Sequence, residues 1–247
     1  MIVTKTDEQL GIIRESGAIL RDVHKLVEDN IGEGMTTLEL DELCRNYIIK
    51  RGASPSFLNY NGYPSSICAS IDEEVVHGIP DNRRLKRGMI VGVDIGVYYK
   101  GLHTDAARTY IISDASPLKR KLVVITKESF FKGIEGLKAG VRLGDLGHKI
   151  QSHVEANGMS VVRALVGHGV GLNLHEDPSI PNFGTPGHGL RLKAGMTVAI
   201  EPMVNLGTYD VEVKTNGWTV VTKDLMPSAH YENTLIILTD GVEIITM

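Results

Sequence analysis

Leu85-Lys86-Arg87-Gly88-Met89-Ile90-Val91-Gly92-Val93-Asp94 and Leu192-Lys193-Ala194-Gly195-Met196-Thr197-Val198-Ala199-Ile200-Glu201 are one pattern written twice. Five of the ten positions are identical, and each stretch runs from a Leu-Lys-x-Gly-Met turn into an apolar strand that ends in an acid. The surroundings repeat in the same order. Thr6 and Gln9 form a capping box ahead of Leu10, Ile13, Gly17, Leu20, Val23 and Val27, which recur at helical spacing. A second helix begins near Thr36 or Thr37, carries Leu40, Leu43, Tyr47 and Ile48, and stops at Gly52. From Ser56 to Ile112, β-branched runs broken by Gly, Asn and Pro read as strands and turns. Then Pro117 to Lys138 and Leu143 to Asn157 read as helices, the second closed by Gly158. Strand-like runs follow at Ser160 to Arg163, Thr197 to Val204, Trp218 to Thr222 and Glu232 to Leu238. Gly34 to Gly52 and Gly140 to Gly158 have the same separation. The reading is an internal duplication within one domain over residues 1–247. Two α/β halves, approximately 1–115 and 116–247, face each other across a pseudo-twofold axis. A site between them receives an acid from each.

Composition narrows the function classes. At 247 residues and 42% hydrophobic, the chain can build a core without a disulfide or structural metal. A net charge of −4 and the lack of a dense Lys/Arg tract argue against specific nucleic-acid binding. Cys44 and Cys68 make neither a scaffold nor a Cys-x-x-Cys site and read as free thiols of a reducing compartment. The N-terminus turns polar at once, unlike a signal peptide, and the apolar runs fall far short of the ~20 residues that span a bilayer. These features predict a soluble cytoplasmic protein with no membrane partner. No heptad or apolar stripe argues for more than a monomer.

Several acids sit where an isolated carboxylate would be costly. Asp94 lies in the apolar strand Met89 to Val97, and burial there requires a partner, a metal or a surface position. Asp105 follows after the Lys100-Gly101 turn signal. A loop at Tyr99-Lys100 pairs 94 with 105, and a loop at Lys100-Gly101 pairs 96 with 105. In both registers the two acids share one face, which is unfavourable unless a cation lies between them. A three-residue loop without a bulge would split them. In the second half, His168 lies between glycines in Gly167-His168-Gly169-Val170-Gly171, which reads as a tight turn that leaves the imidazole open. Glu201 precedes Pro202, and Glu232 heads an apolar strand.

In that order, Asp94, Asp105, His168, Glu201 and Glu232 resemble the five metal ligands of methionine aminopeptidases of the pita-bread fold. Gly167 to Gly171, His175-Glu176-Asp177-Pro178, Ala199 to Val204, Ala229 to Glu232 and Val76-His77-Gly78-Ile79-Pro80 resemble that family's motifs, and the likeness covers essentially the whole chain. The resemblance implies a curved antiparallel sheet covered by helices. It also implies hydrolysis of the N-terminal methionine from nascent proteins and peptides with a small second residue. Four carboxylates and one imidazole form an oxygen-rich set that suits Co, Mn, Fe(II) or Zn, and four negative charges balance two divalent ions. By the family pattern Asp105 and Glu232 bridge, Asp94 binds one ion, and His168 with Glu201 binds the other. Glu201 also carries a proton toward the leaving amine, His175 donates to the scissile carbonyl or oxyanion, and His77 contacts the peptide near the scissile nitrogen. The implied side-chain pocket is Phe57, Tyr60, Tyr63, Cys68, His77, Leu174 and Trp218. Phe57 stands where a cysteine is frequent and Leu174 where a phenylalanine is frequent, an exchange that can conserve volume. Partners implied are N-terminal Met peptides and nascent chains, with transient ribosome association.

Other readings make different demands. A proline-directed aminopeptidase or dipeptidase of the same fold usually carries an additional N-terminal domain. A non-catalytic pita-bread binding protein loses metal ligands. A two-metal phosphatase or nuclease wants cations beside the acids, and the motifs supply little beyond Arg108.

Overall fold

Helices form where the caps and the apolar spacing place them. In the computed structural model, which describes residues 2–247, α1 covers Asp7–Asn30 and α2 covers Thr37–Lys50. The Thr6 hydroxyl accepts from Gln9 N, and the Gln9 side chain accepts from Thr6 N, so two free helix-end donors are satisfied together. Thr36 and Glu39 repeat that box. α3 (Pro117–Ile134) starts on the Ser116 cap with proline in its first turn. It stops short of the expected Lys138, because Gly136 takes a φ of 72° and turns the chain. α4 covers Leu143–Ala156.

The first half is built on the hairpin Ile90–Tyr99 and Leu102–Ile111. Its loop is Lys100-Gly101 with φ of 47° and 88°, a left-handed two-residue turn whose twist suits a hairpin. Gly96 pairs with Asp105 and Asp94 with Ala107, so the acids lie diagonally on one face. The strand Ile67–Ile71 pairs with the other edge of Ile90–Tyr99. In the second half, Asn233–Ile237, Thr197–Ile200 and Gly167–Gly169 are successive neighbours in a five-stranded antiparallel sheet. The expected run Thr197 to Val204 breaks at Glu201-Pro202 into Thr197–Ile200 and Met203–Asn205, since proline cannot donate to the ladder. Trp218 to Thr222 shortens to Val220–Thr222, Glu232 to Leu238 to Asn233–Ile237, and Ser160 to Arg163 to Ser160–Val161.

The repeated sequence makes repeated bonds. Leu85 N donates to Met35 O at 2.8 Å, and Leu192 N to Val141 O at 2.9 Å. Gly34 N reaches Leu85 O, and Gly140 N reaches Leu192 O, both at 2.8 Å. Lys86 N points at the Met89 sulfur and Lys193 N at the Met196 sulfur, both at 3.3 Å. Gly88 and Gly195 adopt φ of 86° and 83°, which explains the glycine in Leu-Lys-x-Gly-Met. Each half has its own buried cluster. Val23, Leu40, Ile48, Ile67 and Val93 belong to the first; Leu122, Phe130, Leu146, Val198 and Leu235 belong to the second.

The halves join along Leu102–Ile111. Glu232 N donates to Ala107 O at 3.0 Å. The Thr234 hydroxyl accepts from Asp105 N and donates to Asp105 O, both at 2.8 Å, and the Thr109 hydroxyl does the same for His230 at 2.9 Å. Among the described residues, no helix is long and apolar enough to cross a membrane.

Two glycines of α1 separate propensity from packing. A Cβ at Gly17 would lie 2.6 Å from the Ile245 carbonyl oxygen, whereas one at Gly11 meets nothing within 4 Å. Gly17→Ala should destabilise the protein by about 1–3 kcal/mol through overpacking. Gly11→Ala should stabilise it by roughly 0.5–1 kcal/mol through helix propensity. Denaturant unfolding of both variants checks the pair of signs.

Candidate active site and metal centre

The side chains of the diagonal acids and of the second-half strand ends converge on one cavity of about 260 Å³ at the seam between the halves. It is lined by every residue that the sequence assigns to the site: Asp94, Asp105, His168, Glu201 and Glu232 on one wall, and Phe57, Tyr60, Tyr63, Cys68, His77, Leu174, His175 and Trp218 around the rest. Asn61, in the turn after Tyr60, joins them without having been anticipated.

His168 is on a strand, not in a turn. Gly167 and Gly169 have no left-handed φ. They are glycines because a Cβ at either position would run into a neighbouring carbonyl, that of Ala199 or Asp177. The imidazole therefore projects into the cavity from a strand whose neighbouring backbones pack closely on either side of it. Its Nε2 lies 3.4 Å from Glu201 Oε1 and 4.0 Å from Asp105 Oδ2.

Asp105, Glu201 and Glu232 are buried, and Asp94 opens partly onto the cavity. Asp94 Oδ1, Asp105 Oδ1 and Glu232 Oε1 are buried without a hydrogen-bond partner. Buried carboxylate oxygens without partners are expensive, and a cation is the remedy this donor set suits. Among the described residues, two groups could hold a metal ion: Asp105, His168 and Glu232, and Asp94, His230 and Glu232. Burial, then mutual repulsion, pushes Asp105 and Glu232 well above the usual carboxylate range. Burial with the Asp94 charge does the same to Glu201. Burial lifts Asp94 to about 7, against a hydrogen bond with Asp105 that favours its ionised form.

His230 is the residue that sequence reasoning passed over. It stands two positions before Glu232, so alternation along an extended chain places it on the same side, a signal that was present in the motif. Its Nε2 is buried without a partner, 3.7 Å from Glu201 Oε2 and 3.8 Å from Glu232 Oε2. Burial holds His168 and His230 neutral, down at about 3.

The opposite wall is aromatic. Phe57, Tyr63, Cys68 and Leu174 form a buried cluster against which Tyr60, Ile79 and Trp218 pack. Tyr63 meets Trp218 edge-on at 5.1 Å. Phe57 lies on the Ile90–Tyr99 strand at Gly96, where a Cβ would sit 2.7 Å from its ring. Burial and then the Asp94 charge push the Cys68 thiol up, which suits a wall and not a nucleophile. His175 Nδ1 lies 2.9 Å from the Tyr60 hydroxyl, and its ring stands 4.3 Å from that of His168. His77 adopts a φ of 57°, a strained conformation, and burial lowers its pKa to about 4. Arg108 turns away from the acids: it donates to the carbonyls of Ala107, Glu232 and Thr246 and lies 4.5 Å over the Tyr231 ring. No phosphate clamp is built from it.

Comparison with known proteins agrees with this geometry. Residues 11–239 match the model of metallopeptidase family M24. The chain is 49% identical over 247 residues to a methionine aminopeptidase of Clostridium perfringens, covering 100% of this chain and 99% of that protein. Its fold is similar to the crystal structure of the methionine aminopeptidase of Rickettsia prowazekii, with a TM-score of 0.98 at 41% identity and 100% coverage of both chains. It is equally similar to that of Thermotoga maritima, with a TM-score of 0.98 at 44% identity, covering 100% of this chain and 99% of that one.

The raised carboxylates set a pH dependence for the metal-free protein. A carboxyl whose folded pKa exceeds its unfolded value binds more protons in the native state, so stability rises as pH falls through the folded value. With Asp94 lifted to about 7 and Asp105, Glu201 and Glu232 held well above the ordinary carboxylate range, metal-free protein should gain stability as pH is lowered. For Asp94 the gain sets in as pH falls through about 7 and continues toward the ordinary carboxylate range at about 4. Below about 6.5, the ordinary histidine value, the buried neutral histidines oppose the trend. Thermal unfolding in chelator across that range checks the slope, and saturating divalent ion should flatten it.

Proposed function

The chain belongs to metallopeptidase family M24, and from that membership we propose that it hydrolyses the N-terminal methionine from peptides and nascent chains with a small second residue. The observation that carries this reading is the meeting, in one cavity, of orphaned carboxylate oxygens with an aromatic pocket of side-chain size. Asp94, Asp105, His168, Glu201 and Glu232 hold two divalent ions in this proposal, drawn from Co, Mn, Fe or Zn. Ions bound there supply Lewis acidity and lower the pKa of water toward neutrality.

The chain's own residues do the rest. Tyr63, Phe57, Leu174 and Trp218 receive an unbranched thioether, which makes favourable contacts with aromatic edges. The apolar wall rejects a charged first residue, because burial without a partner is costly. His175 Nδ1 pairs with the Tyr60 hydroxyl, and in this proposal the hydroxyl donates, so that the ring hydrogen sits on Nε2 and serves as a donor for the scissile carbonyl. Partial desolvation lowers the His175 pKa, which favours the neutral ring that donates from Nε2. His77 faces the leaving nitrogen, and Glu201 moves the proton toward it. In this proposal the protein works in the cytoplasm on chains leaving the ribosome.

Turnover of Met-Ala-Ser, Leu-Ala-Ser, Lys-Ala-Ser and N-acetylated Met-Ala-Ser tests the assignment. The methionyl peptide should lead, leucine should follow by the ~1–3 kcal/mol that pocket fit supplies, and the lysyl and acetylated peptides should be inert. Equal rates for Met and Lys leaders would overturn it. Elemental analysis under saturating metal should find two ions per chain, with activity lost in chelator.

His175→Ala should lower kcat by about 10²–10³, the usual loss of one oxyanion donor. Its metal content should stay near that of the unsubstituted protein, which separates the donor role from a ligand role.

A further inference from the structure

Next to His175 in the chain is half of a fully buried ion pair that the mechanism does not use. Lys5 Nζ meets Glu176 Oε2 at 2.5 Å, with side-chain exposures of 0% and 5%. Lys5 comes from the segment ahead of α1, and its backbone N donates to Gly195 O at 2.8 Å, inside the second copy of the repeated turn. Its side chain then passes Gly171, where a Cβ would run into it. The other Glu176 oxygen, Oε1, accepts from Asn173 N at 2.9 Å. Gly171 N donates to Asn173 O at 3.0 Å, and Gly171 O accepts from His103 N at 2.7 Å. Residues 171–176 are thus a loop tied at both ends, and one carboxylate closes it. That carboxylate is neutralised by one lysine 171 positions away. Leu174, 2% exposed in the aromatic pocket, and His175 lie between the ties.

We propose that Lys5 and Glu176 are positioning residues, a clamp that sets Leu174 against the bound side chain and His175 against the scissile carbonyl. The proposal rests on the function inferred above. Removing one partner strands the other as a buried unpaired charge, which is far costlier than removing both. The stranded group moves toward water and takes the Asn173–His175 backbone with it.

Lys5→Met keeps the stem beside Gly171 and removes the charge, so kcat/KM on a methionyl peptide should fall by about ten- to a hundred-fold, the scale of an ångström misplacement. The loss should lie mainly in kcat, because His175 acts in the transition state. Lys5→Met with Glu176→Gln should regain most of it, since Gln still accepts from Asn173 N and no charge is stranded. On a His175→Ala background, Lys5→Met should add less than about two-fold, the non-additivity of residues that act as one unit. Ring resonances of labelled histidines in metal-free protein give a readout independent of turnover. His175 should shift in Lys5→Met, while His24, buried against Tyr110 and Ala106 O, should not.

If the unsubstituted protein cleaves no methionyl peptide, the functional reading fails and the histidine spectra alone decide the clamp. An unmoved His175 resonance, or a Lys5→Met loss as large on the His175→Ala background as alone, overturns the proposal. Should Lys5→Met not fold, Glu176→Gln, which strands Lys5 instead, is held to the same outcomes.

Discussion

Repulsion among four clustered carboxylates is the constraint that the rest of the structure answers. Left to themselves, Asp94, Asp105, Glu201 and Glu232 would part and seek water. They stay because each is attached to backbone that is fully engaged elsewhere. Asp94 and Asp105 lie on a ten-residue hairpin pair whose ladder is unbroken. Glu201 lies just past the end of a buried strand, and its carbonyl accepts from the Asn182 side chain at 3.0 Å. The Glu232 backbone pairs with Ala107, so the second half is bonded to the hairpin at the point where the acids meet. Preorganisation of this kind lets a metal arrive at donors already in place, and the cost is carried by the fold.

The duplication supplies that rigidity at low complexity. One turn, Leu-Lys-x-Gly-Met, docks each half's second helix onto the strand that carries an acid. The same hydrogen-bond scheme therefore fixes Asp94 in one half and Glu201 in the other. Differences between the copies are where function enters. The first strand continues past Asp94 into the hairpin, while the second stops at Pro202 and releases Glu201 toward the cavity. His168 and His175 belong only to the second half, and the aromatic wall comes mostly from the first. The site is asymmetric although its frame repeats.

What could be read from the sequence was what has a local signature. The capping boxes at Thr6 and Thr36 are three residues wide. The Lys100-Gly101 turn sets the hairpin register, and register decides that Asp94 and Asp105 share a face. The pocket residues came with the family resemblance, not with spacing. Three features had no local signature or a misleading one. Gly167 and Gly169 look like turn residues, but the reason for them is the Ala199 and Asp177 carbonyls on the two strands that flank them. The end of α3 is set by Gly136, within a run whose apolar spacing continues to Lys138. Lys5 is an unremarkable polar residue near the N-terminus until the fold brings it to Glu176.

The two walls of the cavity depend on each other. Phe57, Tyr63, Leu174 and Trp218 exclude water, which lowers the local polarity and strengthens every interaction among the charges opposite. In the metal-free protein this raises the carboxyl pKa values and weakens the fold. With cations present the same burial would strengthen attraction, so the pocket proposed to select the substrate side chain would also tighten the metal centre. Gly96 shows how closely the two are joined. It sits on the hairpin strand between Asp94 and the turn, opposite Asp105, and it is glycine because the Ser56 side chain and the Phe57 ring both rest on it. A side chain there would push the aromatic wall outward and strain the strand that holds the acids. In the proposed function, specificity and metal binding therefore depend on one piece of backbone, and a change to either wall would be felt in both.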